Sequence, residues 1–170
     1  VNDDHDFTVT VEADNGDGTG FQPVNGAVAN AIAFPTPDTL NVTDCNAGTD
    51  VNGECTVTIN SSTAGVFTIY ARSTISVGGV EFKLQTNGVG DNSGPAVKTY
   101  VDLQITIDQN STNEVNNSHT FTVTVKSDPG TGIFSPVLGA TVTPGITGTG
   151  SITGGTCTGI GADTDALGQC

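Results

Sequence analysis

Methionine and tryptophan are absent from this chain, tyrosine occurs only at positions 70 and 100, and aromatic residues make up 5% of the whole. Clefts that hold sugars or flat cofactors are usually lined by exposed aromatic rings, so this scarcity disfavours a ligand-binding module. Positive charge is nearly as scarce. Arg72, Lys83, Lys98 and Lys126 face 18 acidic residues, for a net charge of −14. Nucleic-acid binding depends on neutralising phosphates with Lys and Arg, and an acidic membrane surface would repel so negative a chain; both partners are excluded. No apolar run approaches the length needed to cross a bilayer. The sequence holds no Gly-x-Ser-x-Gly, phosphate loop, dinucleotide fingerprint or His-Glu-x-x-His, so no enzyme class is indicated. It begins at Val1 without an initiator Met or a signal-like start, so any targeting segment is expected upstream or already removed.

What is present is an internal repeat. Val1-Asn2-Asp3-Asp4-His5-Asp6-Phe7-Thr8-Val9-Thr10-Val11 returns as Val115-Asn116-Asn117-Ser118-His119-Thr120-Phe121-Thr122-Val123-Thr124-Val125, identical at eight of eleven positions with an offset of 114. Pro23-Val24-Asn25-Gly26-Ala27 returns as Pro136-Val137-Leu138-Gly139-Ala140, Cys45 as Cys157, and Gly53-Glu54-Cys55 as Gly168-Gln169-Cys170. The offset drifts by a residue or two only across Gly-rich loops, where insertions are tolerated. A unit of about 114 residues is too long for an ankyrin or propeller repeat and suits one immunoglobulin-like domain with a loop.

Within a unit the apolar residues recur with period two, as half-buried strands require. Phe7, Val9 and Val11 alternate with polar residues, as do Cys55, Val57 and Ile59, and Phe67, Ile69 and Ala71. Ile75, Val77, Val80, Phe82 and Leu84 predict a hairpin turning at Gly78-Gly79. Val97, Thr99 and Val101 lead into Leu103, Ile105 and Ile107 and predict one long strand passing from one domain to the next. No helical periodicity of useful length is present. The expectation is an all-β chain of tandem immunoglobulin-like β-sandwich repeats. Residues 1–102 would form one repeat lacking its first strand, and 103–170 the N-terminal part of the next. An apolar content of 35% can fill thin cores between sheets about 10 Å apart.

These motifs resemble a known family. His-x-Phe-Thr-Val-Thr-Val, then Pro-Val-x-Gly-Ala, then Asp50-Val51-Asn52-Gly53-Glu54-Cys55-Thr56-Val57-Thr58-Ile59 and Thr63-Ala64-Gly65-Val66-Phe67-Thr68-Ile69 are similar to bacterial immunoglobulin-like (Big-type) repeats. Such repeats build invasin- and intimin-like adhesins and other large surface proteins. Two Cys per unit and a Gly-rich segment at 78–95 depart from the commonest pattern. The resemblance implies a spacer or display role at the cell surface and brings no catalytic residue with it.

Several residues invite a chemical reading. Two Cys per unit at matching places, Cys45 with Cys55 and Cys157 with Cys170, predict one local disulfide per repeat in an oxidising, extracellular compartment. Each would contribute roughly 2–3 kcal/mol by restricting the unfolded chain. Reduced buried thiols are the alternative, and zinc would need ligand spacings that are missing. His5 and His119 share one repeat position beside a strand start, which favours a structural role over a catalytic base. Asp14, Asp17, Asp102 and Asp108, with Asp3 and Asp4, raise Ca2+ as a cofactor. Against it, Asp14-Asn15-Gly16-Asp17-Gly18 lacks the alternating ligand spacing of a calcium loop, and its counterpart is only Asp128-Pro129-Gly130. Acceptor sequons for glycosylation stand at Asn41, Asn60, Asn110 and Asn116. An isopeptide crosslink from Lys83 or Lys98 is disfavoured, and Lys126 is matched by Glu12, so it cannot recur per repeat.

The leading expectation is therefore a non-enzymatic structural segment of a large extracellular surface protein, a stalk, fibre or adhesin spacer. Its partners would be neighbouring repeats or copies of itself, with a cell-surface or glycan receptor left open. A second reading is a polymerising subunit of an extracellular filament or sheath, completed by strand exchange between chains. A third is a carbohydrate-binding module of a secreted protein.

Overall fold

The fold is described from a computed structural model covering residues 1–108, 111–158 and 163–170. It is built from strands in antiparallel sheets, as the period-two alternation requires. Two compact units divide the chain, Val1–Tyr100 and Val101–Cys170.

The first unit holds, in chain order, β1 (His5–Thr10), β2 (Glu12–Ala13), β3 (Gln22–Pro23), β4 (Ala29–Phe34), β5 (Thr39–Asn41), α1 (Thr43–Ala47), β6 (Glu54–Asn60), β7 (Gly65–Val77), β8 (Val80–Gln85) and β9 (Ala96–Tyr100). One sheet runs β1-β6-β5, with Phe7 opposite Val57 and Val9 opposite Cys55. The other is organised on β7, which pairs with β4 along one edge and with β9 and β8 in succession along the other. Side chains of both sheets meet in one core: Cys55, Val57 and Ile59 of β6, alternate alanines of β4, Phe67 and Ile69 of β7, and Tyr100 of β9. A smaller cluster of Val11, Ala27 and Ile75 closes one end. Tyr100 is buried edge-on to Phe67, ring centroids 5.6 Å apart, and its hydroxyl donates to the Ile59 carbonyl oxygen at 2.8 Å. It therefore offers no exposed stacking face.

The hairpin turns where expected. Val77 pairs with Val80 across Gly78 and Gly79, both at positive φ, as a tight two-residue turn demands. One expectation needs correction, and two elements went unread. The run from Val97 to Ile107 is two strands, because Ala96–Tyr100 pairs with β7 whereas 102–107 pairs in the second unit. One helical turn, α1, interrupts the strands; it carries Cys45 into the core, and the Asp44 carboxylate accepts from the Thr56 N–H at 2.7 Å. Strand β4 carried no apolar signal, since its inward residues are Ala29, Ala31 and Ala33.

The second unit contains β10 (Asp102–Ile107), β11 (Val123–Asp128) and β12 (Ser135–Pro136), paired in that order. Its core is small: Val123, Val142 and Cys157, flanked by Val125 and Cys170. The strand matching β1 starts at Val123 rather than at His119. In the first unit β6 pairs with this segment from His5 onward.

Candidate functional site

The two units share a hydrogen-bonded frame that repeats bond for bond. Thr49 donates its hydroxyl to the Val24 carbonyl and accepts the Ala27 N–H; Thr164 does the same with Val137 and Ala140. Asp50 accepts the N–H groups of Asn52 and Glu54 at 2.8 and 3.0 Å, and Asp165 those of Leu167 and Gln169 at 2.8 and 2.9 Å. The Val11 N–H donates to the Gly53 carbonyl and the Val125 N–H to that of Gly168, both at 2.8 Å. The turn closed by Asp50 presses Gly53 against Val11, and the turn closed by Asp165 presses Gly168 against Val125. Asp50 entered the sequence reading only as part of the Asp-x-Asn-Gly motif; Thr49, Thr164 and Asp165 escaped it. The Thr-Asp pair at 49–50 and 164–165, at the offset of the adjoining Gly and Cys, was the signal that identifies them.

The four cysteines pair as expected, Cys45 with Cys55 and Cys157 with Cys170. Disulfides persist where the surroundings are oxidising, which fits an extracellular environment. No helix among the described residues is long and apolar enough to cross a membrane.

His5 and His119 each pack edge-on against the phenylalanine two residues on, at 4.7 and 4.5 Å between ring centroids. Their surroundings otherwise differ: Phe7 packs against the first core, whereas Phe121 is 45% exposed. The aspartates raised as calcium ligands each serve a local turn or strand end. Asp14 accepts the Gly16 N–H, Asp17 the Thr19 N–H and hydroxyl, and Asp108 the Thr122 N–H, while Asp102 opens β10 opposite Asp128. Among the described residues no three His, Cys, Asp or Glu side chains converge as a metal-binding group. The Thr19 bonds hold the Asp17 carboxyl below its ordinary range. Asp128 is more developed: it is buried, which raises its pKa, but donors from Gly130, Thr131 and Gly132 outweigh burial and bring it below the usual value. Of the sequons, Asn41 and Asn116 are exposed and Asn60 is half-buried, its amide donating to Asp4 at 2.6 Å; Asn110 lies outside the described residues. Lys98 stands over the Tyr100 ring at 5.4 Å.

One concavity of the first unit runs along β1. It is a groove of about 570 Å³ between the outer edge of that strand and the β7–β8 side of the facing sheet, lined by Phe7, Val9, Val57, Ile69, Ala71 and Leu84 among others. No family model matches the chain, and neither does any curated protein or solved structure. The groove's own chemistry is apolar along its floor, with Arg72 and Asp91 at the rim. Its wall, β1, ends the strand order of its sheet among the described residues.

Proposed function

We propose that this chain is a non-enzymatic structural segment of an extracellular surface protein, built of tandem immunoglobulin-like repeats that act as stalk, fibre or adhesin spacer. The observation that carries this reading is the duplicated frame of Thr49, Asp50 and Gly53 in Thr164, Asp165 and Gly168. What recurs between the units is the scaffold that sets strand register. The disulfides and the strongly acidic surface suit a protein exposed outside the cell, where net charge keeps an array soluble. The similarity of the strand motifs to Big-type repeats points to the same display role.

Immunogold labelling of intact source cells with antibodies against residues 1–170 tests the proposal. The expected result is label on structures projecting from the cell boundary, lost when surface proteins are removed by brief external proteolysis. Label confined to the cell interior would overturn it.

A further inference from the structure

Asparagine precedes glycine four times, at Asn15-Gly16, Asn25-Gly26, Asn52-Gly53 and Asn87-Gly88. In such a pair the backbone nitrogen of the glycine can approach the asparagine side-chain carbonyl without a β-carbon in the way. All four asparagines are exposed, so access of water does not rank them. What ranks them is the partner of each glycine N–H. Gly26 donates to the Thr49 carbonyl at 2.8 Å, Gly53 to that of Asp50 at 3.0 Å and Gly88 to that of Ser93 at 2.9 Å. These acceptors are backbone oxygens, and the first two bonds recur in the second unit, from Gly139 to Thr164 and from Gly168 to Asp165. The side chains of Asn52 and Asn87 are held as well, one donating to Asp50 at 3.1 Å and the other accepting the Val89 N–H at 3.0 Å. Gly16 differs: its N–H donates to a carboxylate, Asp14 Oδ1, at 2.8 Å. The second unit keeps the glycines as Gly130, Gly139 and Gly168, but Pro129, Leu138 and Leu167 stand before them. The turns need the glycine and leave the preceding residue free to change.

We propose that Asn15 is a self-modification site, converted with Asp14 as general base into aspartate and isoaspartate through a cyclic imide. The Gly16 nitrogen bonds to Asn15 Cγ while its proton passes to Asp14 Oδ1, which lies within the roughly 2.6–3.2 Å that a base needs. An amide N–H turns acidic as that bond forms, so a carboxylate suffices. The bond from Cγ to Nδ2 then breaks, and Nδ2 takes up the proton and leaves as ammonia. One water opens the ring, at Cγ to give aspartate or at the Asn15 backbone carbonyl carbon to give isoaspartate. Either product adds a negative charge to a loop that already carries Asp14 and Asp17; isoaspartate also lengthens the backbone by one carbon. The loop has room for it, since a β-carbon added at Gly16, Gly18 or Gly20 would meet nothing within 4 Å. Asp17-Gly18 in the same loop is the poorer substrate. An ionised carboxyl is a weak electrophile, and the Thr19 bonds keep Asp17 ionised. This rests on the loop alone, independently of where the protein is displayed.

The test uses the full chain, folded, held in neutral buffer and sampled over weeks by mass mapping to the residue. Asn15 should exchange its side-chain NH2 for OH at least about tenfold faster than Asn25, Asn52 or Asn87, with isoaspartate appearing at the same position. In strong denaturant, where the glycine N–H groups lose their partners, the four rates should draw together. Asp14→Asn keeps an oxygen to accept the Gly16 N–H but removes the base. It should slow the reaction at Asn15 about tenfold or more and leave Asn25 and Asn52 unchanged. Its rate at Asn15 should also climb more steeply with pH than in the native chain, because hydroxide must replace the carboxylate. Another asparagine reacting first in the folded chain, the same ranking in denaturant, or an unchanged rate in Asp14→Asn would overturn the proposal. Isoaspartate in this loop without a change of mass would overturn it too, because the reacting residue would then be an aspartate.

Discussion

A β-carbon added at Gly53 would stand 2.6 Å from the Val11 carbonyl oxygen and 3.0 Å from the Pro23 side chain, on a backbone with φ of +74°. At Gly168 it would stand 2.4 Å from the Val125 oxygen. Gly26, at φ +76°, has open space around the same direction. Gly26→Ala should therefore cost only the left-handed backbone penalty, about 1–2 kcal/mol, while Gly53→Ala adds a collision with backbone that cannot step aside. Denaturant titrations of the two variants should separate them, Gly53→Ala being clearly the less stable; equal losses would show that the close approach does not matter. Asp50 gives a second prediction at this scale. Bonds from Glu54 and Asn52 hold its carboxyl below the ordinary 3.8. The folded state thus binds that proton more weakly than the unfolded chain, and the stabilisation is complete above about pH 4 and lost as pH falls through the lowered pKa. Asp50→Asn should lower the melting temperature by a few degrees at pH 7, and the gap to the native chain should close toward pH 2–3. A gap independent of pH would rule out the carboxylate as the cause.

Elements that announce themselves by large residues were legible. Val57 and Ile59 are wholly buried and Phe67 and Ile69 nearly so, because a strand with Val, Ile or Phe at every second position can hide one face only against another sheet. Strand β4 reads the other way round: Ala29, Ala31 and Ala33 face the core while Phe34 is 60% exposed. Its small inward side chains match the bulk of Ile59 and Phe67 across the same core, a relation between strands far apart in sequence that no local window contains. Ala31→Leu should accordingly overpack the core and cost about 1–3 kcal/mol. Helix α1 was equally silent, being a single turn whose place is fixed by the bridge from Cys45 to Cys55. Closing that ten-residue separation should contribute about 3 kcal/mol, so the double variant Cys45→Ser, Cys55→Ser should melt at least about 12 °C lower. A shift of only a degree or two would mean that packing alone holds the turn.

At the scale of the whole chain, the repeat was readable because the residues that fix register cannot vary independently: the glycine under a carbonyl, the threonine bridging two backbone groups and the aspartate closing the turn form one hydrogen-bonded unit. The groove beside β1 was not readable residue by residue, since Phe7, Val57, Ile69 and Leu84 reach it from strands far apart in the sequence. The two units also differ in the size of their cores. The first buries a continuous two-sheet core; the second has Val123, Val142 and Cys157 buried and depends on its disulfide to a greater degree. Small cores supply little net stability, and chains of this size commonly rely on a covalent staple. Calorimetry should therefore resolve two transitions, the lower belonging to the second unit. Cys157→Ser with Cys170→Ser should abolish the lower one and leave the upper within a few degrees of its native position. Amide exchange locates the loss: protection at Val123 and Val125 should vanish while Val57 and Ile59 stay protected, and a single cooperative transition in the native chain would refute the independence of the two cores.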